Sequence, residues 1–496
     1  MNRIRFFPGL MFRALMFRAL LLAAVSALAG GCALQTPPRD VSAAVPPQWF
    51  APYPSADAPG TLPHNGRLTD LTQWWDQQGD PLLVELIASA QAVSPSVASA
   101  RSRIEQARAT RVAAGAALAP TLDASASSSR TRSPPTAPGA SALATSAQAG
   151  LQASWEMDLF GRKQTSRNAA IERLAGAEAQ WHDARVSVAA EVANQYYSYT
   201  SCRALEAITR ADAASRQETA RLTDLSMKAG FTAPATAALA RASAGDASAR
   251  ATEQAARCEL DVKALVALSS LQEPDLRSKL ATAPVIRAQA ASILIASVPA
   301  DALLQRPDVF NAAREVAAAS DEIGSAQAER YPRLGLSGSI GTSRVRSGGV
   351  STDFNTWSIG PLSLTVPLFD GGRRAADVDA AGARYDEAAA SYRSRVRQAV
   401  REVEEALVNL QSTAARRADV QTAVDGYQAS FSGTEALYKN GLASLVELED
   451  SRRTLLAAQT TLASLQLSRN TAWVSLYRAM GGGWTPAINA AGLPAR

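Results

Sequence analysis

The sequence has no long apolar run after Cys32. The longest candidate, Ala291 to Val298, is far shorter than the roughly 20 residues that a membrane-spanning helix needs. Transmembrane helices are therefore not expected in the mature chain. If it crosses a membrane, it must do so as a closed β-barrel, because that is the other structure that satisfies every backbone hydrogen bond in lipid.

Histidines and the usual catalytic motifs are also scarce. The chain has two histidines, His64 in a proline-rich segment and His182 beside Asp183, and neither belongs to an H-E-x-x-H motif. There is no G-x-S-x-G motif and no phosphate-binding Gly/Lys loop, and the run from Gly481 to Gly483 is typical of a helix stop. The sequence therefore predicts a protein that is not an enzyme and that has no cofactor and no metal site.

An excess of charge of one sign is missing from the mature chain. The formal net charge of +5 falls to +1 when residues 1–31 are removed, because that segment holds four arginines and no acid. No basic stripe interleaved with aromatic residues remains. This composition argues against nucleic acid as a partner.

The N-terminus has the pattern of a secretory signal that ends at a cysteine. Four arginines precede an apolar stretch from Ala19 to Ala29, and small residues lead directly into Cys32. This pattern resembles the bacterial lipoprotein signal, in which the cysteine is acylated, and Ala33 at the next position indicates an outer-membrane address. We predict lipidation of Cys32; the alternative is an unmodified cysteine beside a cleavage site.

Much of the sequence occurs as an internal repeat of two copies. The segment that begins at Pro95 has a counterpart that begins at Pro307, about 212 positions later, and each continues through an alternating stretch into a long alanine-rich helical pattern. A long period that occurs only twice indicates two similar halves. Each helical pattern is interrupted at one glycine, Gly230 in the first half and Gly441 in the second.

Alternating segments predict four strands. From Gln148 to Asp158, polar residues and one glycine take the even positions and apolar residues take all the odd ones, as in a strand with one polar and one apolar face. The alternation slips at Gly360 and Pro361, which predicts a bulge or bend. Four strands cannot close a membrane barrel alone, since single-chain barrels begin at about eight, so subunits must pool them; the alternative is a small soluble sheet packed on helices. The predicted strands cover about residues 121–132, 143–159, 334–346 and 354–369.

Two further cysteines lie symmetrically about the first turn. Cys202 and Cys258 are equally far from Gly230 in the sequence, one on each side, so a helical hairpin that turns at this glycine places them at the same level. The periplasm is oxidising. We predict a disulfide between them, the alternative being two buried thiols.

Several motifs together resemble one family. They are W-W at 74–75 with D-P at 80–81, L-Q-R-P-D-V at 304–309, A-E-R-Y-P at 328–332 and P-L-F-D-G-G at 367–372. With the lipoprotein cysteine, they look like the outer membrane factor family, and in particular its NodT-type efflux branch. The resemblance implies an α+β membrane protein and a homotrimer. Twelve pooled strands, four from each chain, would form one outer-membrane β-barrel, continued by a long α-helical coiled-coil tunnel through the periplasm.

The resemblance also implies partners and site residues. The tunnel tip would dock on a periplasmic membrane-fusion adaptor and an inner-membrane pump of the RND type, while the barrel would contact outer-membrane lipid. The adaptor-docking turns would be those at Gly230 and Gly441. The acidic residues that constrict the pore in this family match Glu447 and Asp450.

A structural role explains one of these two acids better than the other. Ser444 and Glu447 have the S-x-x-E spacing of a capping box at the start of the returning helix. Asp450 has no such explanation and is the first candidate for the gate. The first half has Thr236 where the corresponding acid would fall. We therefore expect the first turn to dock, and the second half to move when the duct opens.

The implied function is an outer-membrane exit duct for drugs and other small toxic compounds, lipid-anchored and extending into the periplasm. Two alternatives are the exit duct of a type I protein-secretion system and a non-conducting structural periplasmic lipoprotein. The predicted domains are a signal peptide (1–31), a lipidated proline-rich arm (32–80), a first repeat (81–270), a linker (271–304), a second repeat (305–480) and a C-terminal tail (481–496).

Overall fold

The computed structural model describes residues 34–51, 74–133, 142–282, 303, 305–347 and 350–484. Cys32 and the predicted signal lie outside these residues, as do most of the predicted linker and the tail beyond Trp484. The described residues form two compact units. The first combines the arm up to Val41 with residues 106–174 and 313–390, and the second takes the other described residues.

Apart from two additional helices at the start of the first half, helices and strands follow one another in the same order in both halves. The two-fold repeat predicted from the sequence is confirmed, and its two longest helices both have 67 residues. The first half contains α1 (Trp74–Gln77), α2 (Pro81–Val93), α3 (Pro95–Ala116), β1 (Thr121–Ser133), β2 (Ala142–Met157), α4 (Arg162–Lys228) and α5 (Pro234–Ser269). After α6 (Glu273–Thr282), the second half contains α7 (Pro307–Ala328), β3 (Arg333–Ser347), β4 (Val350–Thr365), α8 (Arg373–Lys439) and α9 (Leu445–Ala479).

None of the described helices, taken singly, has both the length and the apolar character needed to cross a membrane. Helices α2 and α3 meet these two criteria when they are joined, but they are bent by 50° where they meet.

The four strands form one antiparallel sheet in the order β1-β2-β3-β4. At its centre, Gly150 of β2 pairs with Gly341 of β3. The backbones approach closely there, because a Cβ atom on Gly150 would lie 2.8 Å from the carbonyl oxygen of Ile340. The outer edges of β1 and β4 pair with no described strand of this chain.

Two strands end earlier than predicted, and β4 also begins four residues earlier, at Val350. β2 ends at Met157 rather than at 159, because the Asp158 carboxylate turns to cap α4 and accepts hydrogen bonds from the backbone N–H groups of Lys163 at 3.1 Å and Gln164 at 2.7 Å. β4 ends at Thr365 rather than at 369, two residues before a proline that cannot donate to the ladder.

The predicted slip at Gly360 and Pro361 corresponds to an extra residue on β4, because these two residues lie opposite the single residue Ser337 of β3. The register between β3 and β4 shifts between Leu336 and Gly338. Such a shift realigns the apolar and polar faces on either side of it. The break in the alternating sequence pattern therefore indicates where the strand pairing is irregular, in addition to indicating that a strand is present.

The W-W and D-P motif belongs to the largest apolar cluster of the second unit. Trp74 stacks on Tyr477 of α9, with ring centroids 5.0 Å apart. Asp80 accepts a hydrogen bond from the Leu83 backbone N–H at 3.3 Å, which caps α2, and another from the Tyr196 hydroxyl of α4 at 2.8 Å. The motif thus packs α1 and α2 against α4 and α9, which is a structural role.

Candidate functional site

The two longest helices each end two residues before a glycine turn. The glycines adopt positive φ angles, +81° at Gly230 and +72° at Gly441, which residues with a side chain rarely adopt. In each turn the next backbone N–H donates to a carbonyl five residues earlier, at 3.0 Å for Phe231 and 2.8 Å for Leu442. Glycine is therefore required where α4 and α8 end.

The two helical hairpins pack together beside their turns. The hydroxyls of Thr223 on α4 and Tyr438 on α8 are 3.1 Å apart. Ala240 of α5 lies in one buried apolar cluster with Leu445 and Leu448 of α9. Both turns therefore belong to one end of the second unit, which we call the tip (residues 229–233 and 440–446).

Large apolar side chains are exposed at the tip. Phe231 is 86% exposed, Leu442 is 74% exposed, and Val446, in the first turn of α9, is 65% exposed. Sequence reasoning identified the glycines and missed these side chains, although an apolar residue directly after each glycine was the available signal. Exposed apolar side chains at both turns are therefore available for contact with another protein.

Glu447 forms the capping box that the S-x-x-E pattern predicts. Its carboxylate accepts a hydrogen bond from the Ser444 backbone N–H at 2.7 Å, and the Ser444 hydroxyl accepts one from the Glu447 N–H at 3.2 Å. The hydrogen bonds from Ser444 lower the pKa of Glu447. This carboxylate is therefore engaged in starting α9.

Asp450 lies one turn further along α9, and its side chain is 61% exposed. Its carboxylate pairs with Arg453 three residues later, which is 78% exposed. Both charged groups remain in water and take no part in the helix cap. The Asp450 carboxylate is thus a charged group on the surface of α9 close to the turn.

Glu449, between these two acids, connects three helices. Its carboxylate accepts hydrogen bonds from the Ser243 hydroxyl of α5 at 2.7 Å and from Arg452 of its own helix at 2.9 Å, and it forms an ion pair with Arg216 of α4. The exposed fraction is 17% for the Glu449 side chain, 8% for Arg216 and 3% for Arg452. These charges are largely removed from water.

Both arginines have further partners. Arg216 donates to Asp212 at 2.9 Å, and Arg452 donates to the Thr219 hydroxyl at 2.7 Å. The Arg452 guanidinium also lies over the ring of Phe431 on α8, 5.6 Å from its centroid. Buried charges are tolerated when they are paired and hydrogen-bonded in this way. This Glu449 network, made of Glu449 and the partners named here and above, joins α4, α5, α8 and α9 beside the tip.

Sequence reasoning missed the Glu449 network. One signal was present, because Arg452 lies between Leu448 and Leu455 in the leucine stripe of α9, where a charged side chain needs a buried partner. The partner Thr219 is 233 residues away in the sequence. No local pattern identifies such a distant pair.

A disulfide joins Cys202 of α4 to Cys258 of α5, with the two Cα atoms 5.5 Å apart. Both side chains are buried. The bond spans 56 residues that include the first turn. It therefore holds α4 and α5 of the first hairpin together at a distance from the tip.

We predict that both cysteines are oxidised in the protein isolated from cells. Alkylation in denaturant without reductant should leave Cys202 and Cys258 unlabelled and linked, and prior reduction should allow one label on each, as read by peptide mass spectrometry. Replacing both by serine should lower the free energy of unfolding by about 3 kcal/mol, because the unfolded chain gains freedom. Labelling of both residues without reductant would contradict the prediction.

Comparison with known proteins finds matches along nearly the whole chain. The family model described as outer membrane efflux protein matches it twice, over residues 86–271 and 298–482. The chain is 30% identical over 467 residues to the solvent efflux pump outer membrane protein SrpC of Pseudomonas putida, covering 93% of this chain and 97% of that protein. It is also 30% identical over 433 residues to nodulation protein T of Rhizobium leguminosarum bv. viciae, covering 84% and 85%. The solved structure of the outer-membrane channel OprN matches with a TM-score of 0.77 at 25% identity, covering 91% of this chain and 100% of that one.

Proposed function

This chain belongs to the outer membrane efflux protein family, and we propose that it is the exit duct through which a tripartite pump expels drugs and other small toxic compounds. The predicted fold, that of the family's trimeric channels, the predicted outer-membrane location and the predicted role as an efflux channel are confirmed. The relative named for solvent efflux favours small compounds over proteins as the exported cargo.

The proposed assembly is a homotrimer. A four-stranded sheet with open edges on β1 and β4 cannot close on itself, and exposed edges tend to pair with other strands. Pairing β4 of each copy with β1 of the next would close one sheet of twelve strands. This step accounts for both open edges with a single type of contact.

A lipid anchor at Cys32 remains part of the proposal. The arm that follows it is fastened within the first unit, where Gln35 and Gln327 exchange hydrogen bonds of 2.9 and 2.8 Å. Arg39 pairs with Glu172 and Asp321 at 2.6 and 3.0 Å. The same unit carries the four strands, so the described start of the arm, at Leu34, belongs to the unit proposed to reach the outer membrane.

We propose that the tip docks on a periplasmic membrane-fusion adaptor of an RND-type pump. Phe231 and Leu442 supply apolar surface at the two turns, and Gly230 and Gly441 hold the backbone that presents them. In a trimer the tip would occur three times around one opening. The observation that carries the proposed function is this tip, because its exposed apolar side chains would be stabilised by burial against a protein partner.

Asp450 is proposed as the gate residue, with Glu447 as a secondary candidate. Asp450→Ala should lower the preference for cations over anions by about fivefold, because three carboxylates around one pore attract cations. Planar-bilayer recordings of reversal potential in a salt gradient measure this ratio. Asp419→Ala, which removes an exposed acid of α8 far from the turn, is the matched control. An unchanged ratio in the Asp450 variant would remove this residue from the gate.

Two measurements separate the competing functions. The purified protein should form conducting channels in planar bilayers, which a structural lipoprotein would not do. A deletion strain should become sensitive to small apolar antibiotics, and the intact gene should restore resistance. Loss of a secreted protein with unchanged antibiotic resistance would instead favour the exit duct of a type I secretion system.

A further inference from the structure

A cavity of about 360 Å³ lies between α4, α8 and α9 of the second unit, away from the tip. Part of its wall is apolar and includes Ile208, Leu462 and Leu465. Two guanidinium groups also line it, from Arg417 on α8 and Arg469 on α9. The volume lies in the range of small-molecule sites, which begins at about 300 Å³.

The positive charge in this cavity is not balanced by a nearby acid. Among the described residues, no carboxylate forms an ion pair with Arg417 or Arg469. Arg417 is exposed at the rim and Arg469 is half-buried. Burial lowers the pKa of Arg469, and the positive charge of Arg417 lowers it further. Two guanidiniums that repel each other in a partly dry cavity would be stabilised by an anion between them.

The two halves of the chain differ at this level. Thr413 and Arg469 flank Gly441 at the same sequence separation at which Cys202 and Cys258 flank Gly230. In the first hairpin a disulfide joins the two helices at these positions. In the second hairpin the matching residues line the cavity.

The charges differ between the two halves as well. The position that matches Arg417 in the first half is Glu206, since the two precede their turn glycines by the same number of positions. Glu206 is 4% exposed and pairs with Arg203 at 2.6 Å and Arg210 at 2.5 Å. In the first half, a disulfide joins the two helices at these positions and the buried charge is paired, whereas in the second half the matching positions line a cavity whose two arginines have no paired acid among the described residues.

We infer that this cavity binds a small amphipathic anion, a carboxylate, sulfate or sulfonate with an apolar body. Arg417 and Arg469 would hold the anionic group through charge-assisted hydrogen bonds, for which the planar guanidinium is well suited. Ile208, Leu462 and Leu465 would contact the apolar body. The two arginines of this site lie on the second hairpin, and the site is separate from the proposed gate residues and from the tip.

Calorimetric titration of the full-length protein in non-ionic detergent tests the inference, with naphthalene-2-sulfonate as the probe. Arg417→Gln and Arg469→Gln should each weaken binding by about tenfold or more, because each removes a hydrogen bond to a charged group. Arg416→Gln removes a neighbouring exposed arginine outside the cavity and should bind like the wild type. The neutral naphthalene-2-sulfonamide should bind at least tenfold more weakly than the sulfonate.

A second measurement uses the wild-type protein, so it does not depend on the folding of a variant. Naphthalene-2-sulfonate should protect Arg417 and Arg469, and not Arg416, from modification by phenylglyoxal. Equal binding of sulfonate and sulfonamide, unchanged binding in both cavity variants, or no protection would overturn the inference. Absence of probe binding combined with dissociation of the oligomer in the cavity variants would also overturn it, since an acid of a second copy would then be the partner.

Discussion

Glu449→Ala is expected to loosen the tip, because it leaves Arg216 and Arg452 buried without their shared carboxylate. Removing one partner of a buried ion pair costs about 3–5 kcal/mol, so local opening should become roughly 150- to 5000-fold more frequent. Amide hydrogen exchange, followed by mass spectrometry, measures this opening. The faster exchange should be confined to the last turns of α4 and the first turns of α9.

Glu218→Ala is the matched control for this experiment. Glu218 pairs with Arg221 on the surface of α4, and the two side chains are 54% and 58% exposed. Surface pairs contribute about 0–1 kcal/mol, so exchange should change little. If the Glu449 and Glu218 variants exchange alike, the network does not stabilise the tip.

The network also bears on how the duct would open. Because Glu449 contacts α4 and α5 from α9, the two hairpins of one chain are joined beside the tip. The second half can move alone, as the sequence led us to expect, only if this network breaks. Glu449→Ala should then raise the fraction of time the channel is open in planar bilayers. An unchanged open fraction would mean that the two hairpins move as one body.

Replacing Phe231 and Leu442 together by serine is expected to abolish efflux while leaving the channel intact. A large apolar side chain buried in an interface contributes about 1.5–3 kcal/mol, so losing both should weaken adaptor binding by roughly two to four orders of magnitude. Biolayer interferometry with the purified adaptor measures the affinity. Antibiotic susceptibility of the complemented deletion strain measures the consequence.

Leu260→Ser provides the control for the docking experiment. Leu260 is 69% exposed on α5 but lies towards the far end of that helix from Gly230, away from the turn. Its substitution should leave adaptor affinity and resistance unchanged. The double variant must also keep wild-type conductance in bilayers, which separates lost docking from lost folding. Wild-type adaptor affinity in the double variant would exclude the two turns as the docking surface.

Much of the fold could be predicted because it depends on local patterns. Residues of a strand alternate between two faces, so period-two alternation indicated the four strands. Helix ends need particular residues, so Gly230, Gly441 and the Ser444–Glu447 pair marked the turns before any tertiary contact was known. The equal spacing of Cys202 and Cys258 from one turn also follows from the geometry of a hairpin.

The strand ends were harder to predict, because capping competes with alternation. Asp158 continues the alternating pattern of β2 and could equally have extended the strand. In the structure its carboxylate caps α4 instead. Asp370 does the same before α8, accepting hydrogen bonds from the backbone N–H groups of Gly372 and Arg374 at 3.1 Å each. The structure shows which requirement prevails at each of these positions.

The sequence by itself determined the repeat, the four strands and the two glycine turns, since periodicity and spacing are properties of neighbouring residues. Only the tertiary structure decided what the three acids Glu447, Glu449 and Asp450 do, although they lie within four positions and share one chemistry. Glu447 caps a helix, Glu449 is buried against two arginines, and Asp450 remains in water. The reason is physical: burial and ion pairing depend on helices that are distant in the chain, as Arg216 is from Glu449, and no local pattern records which of them a side chain will face.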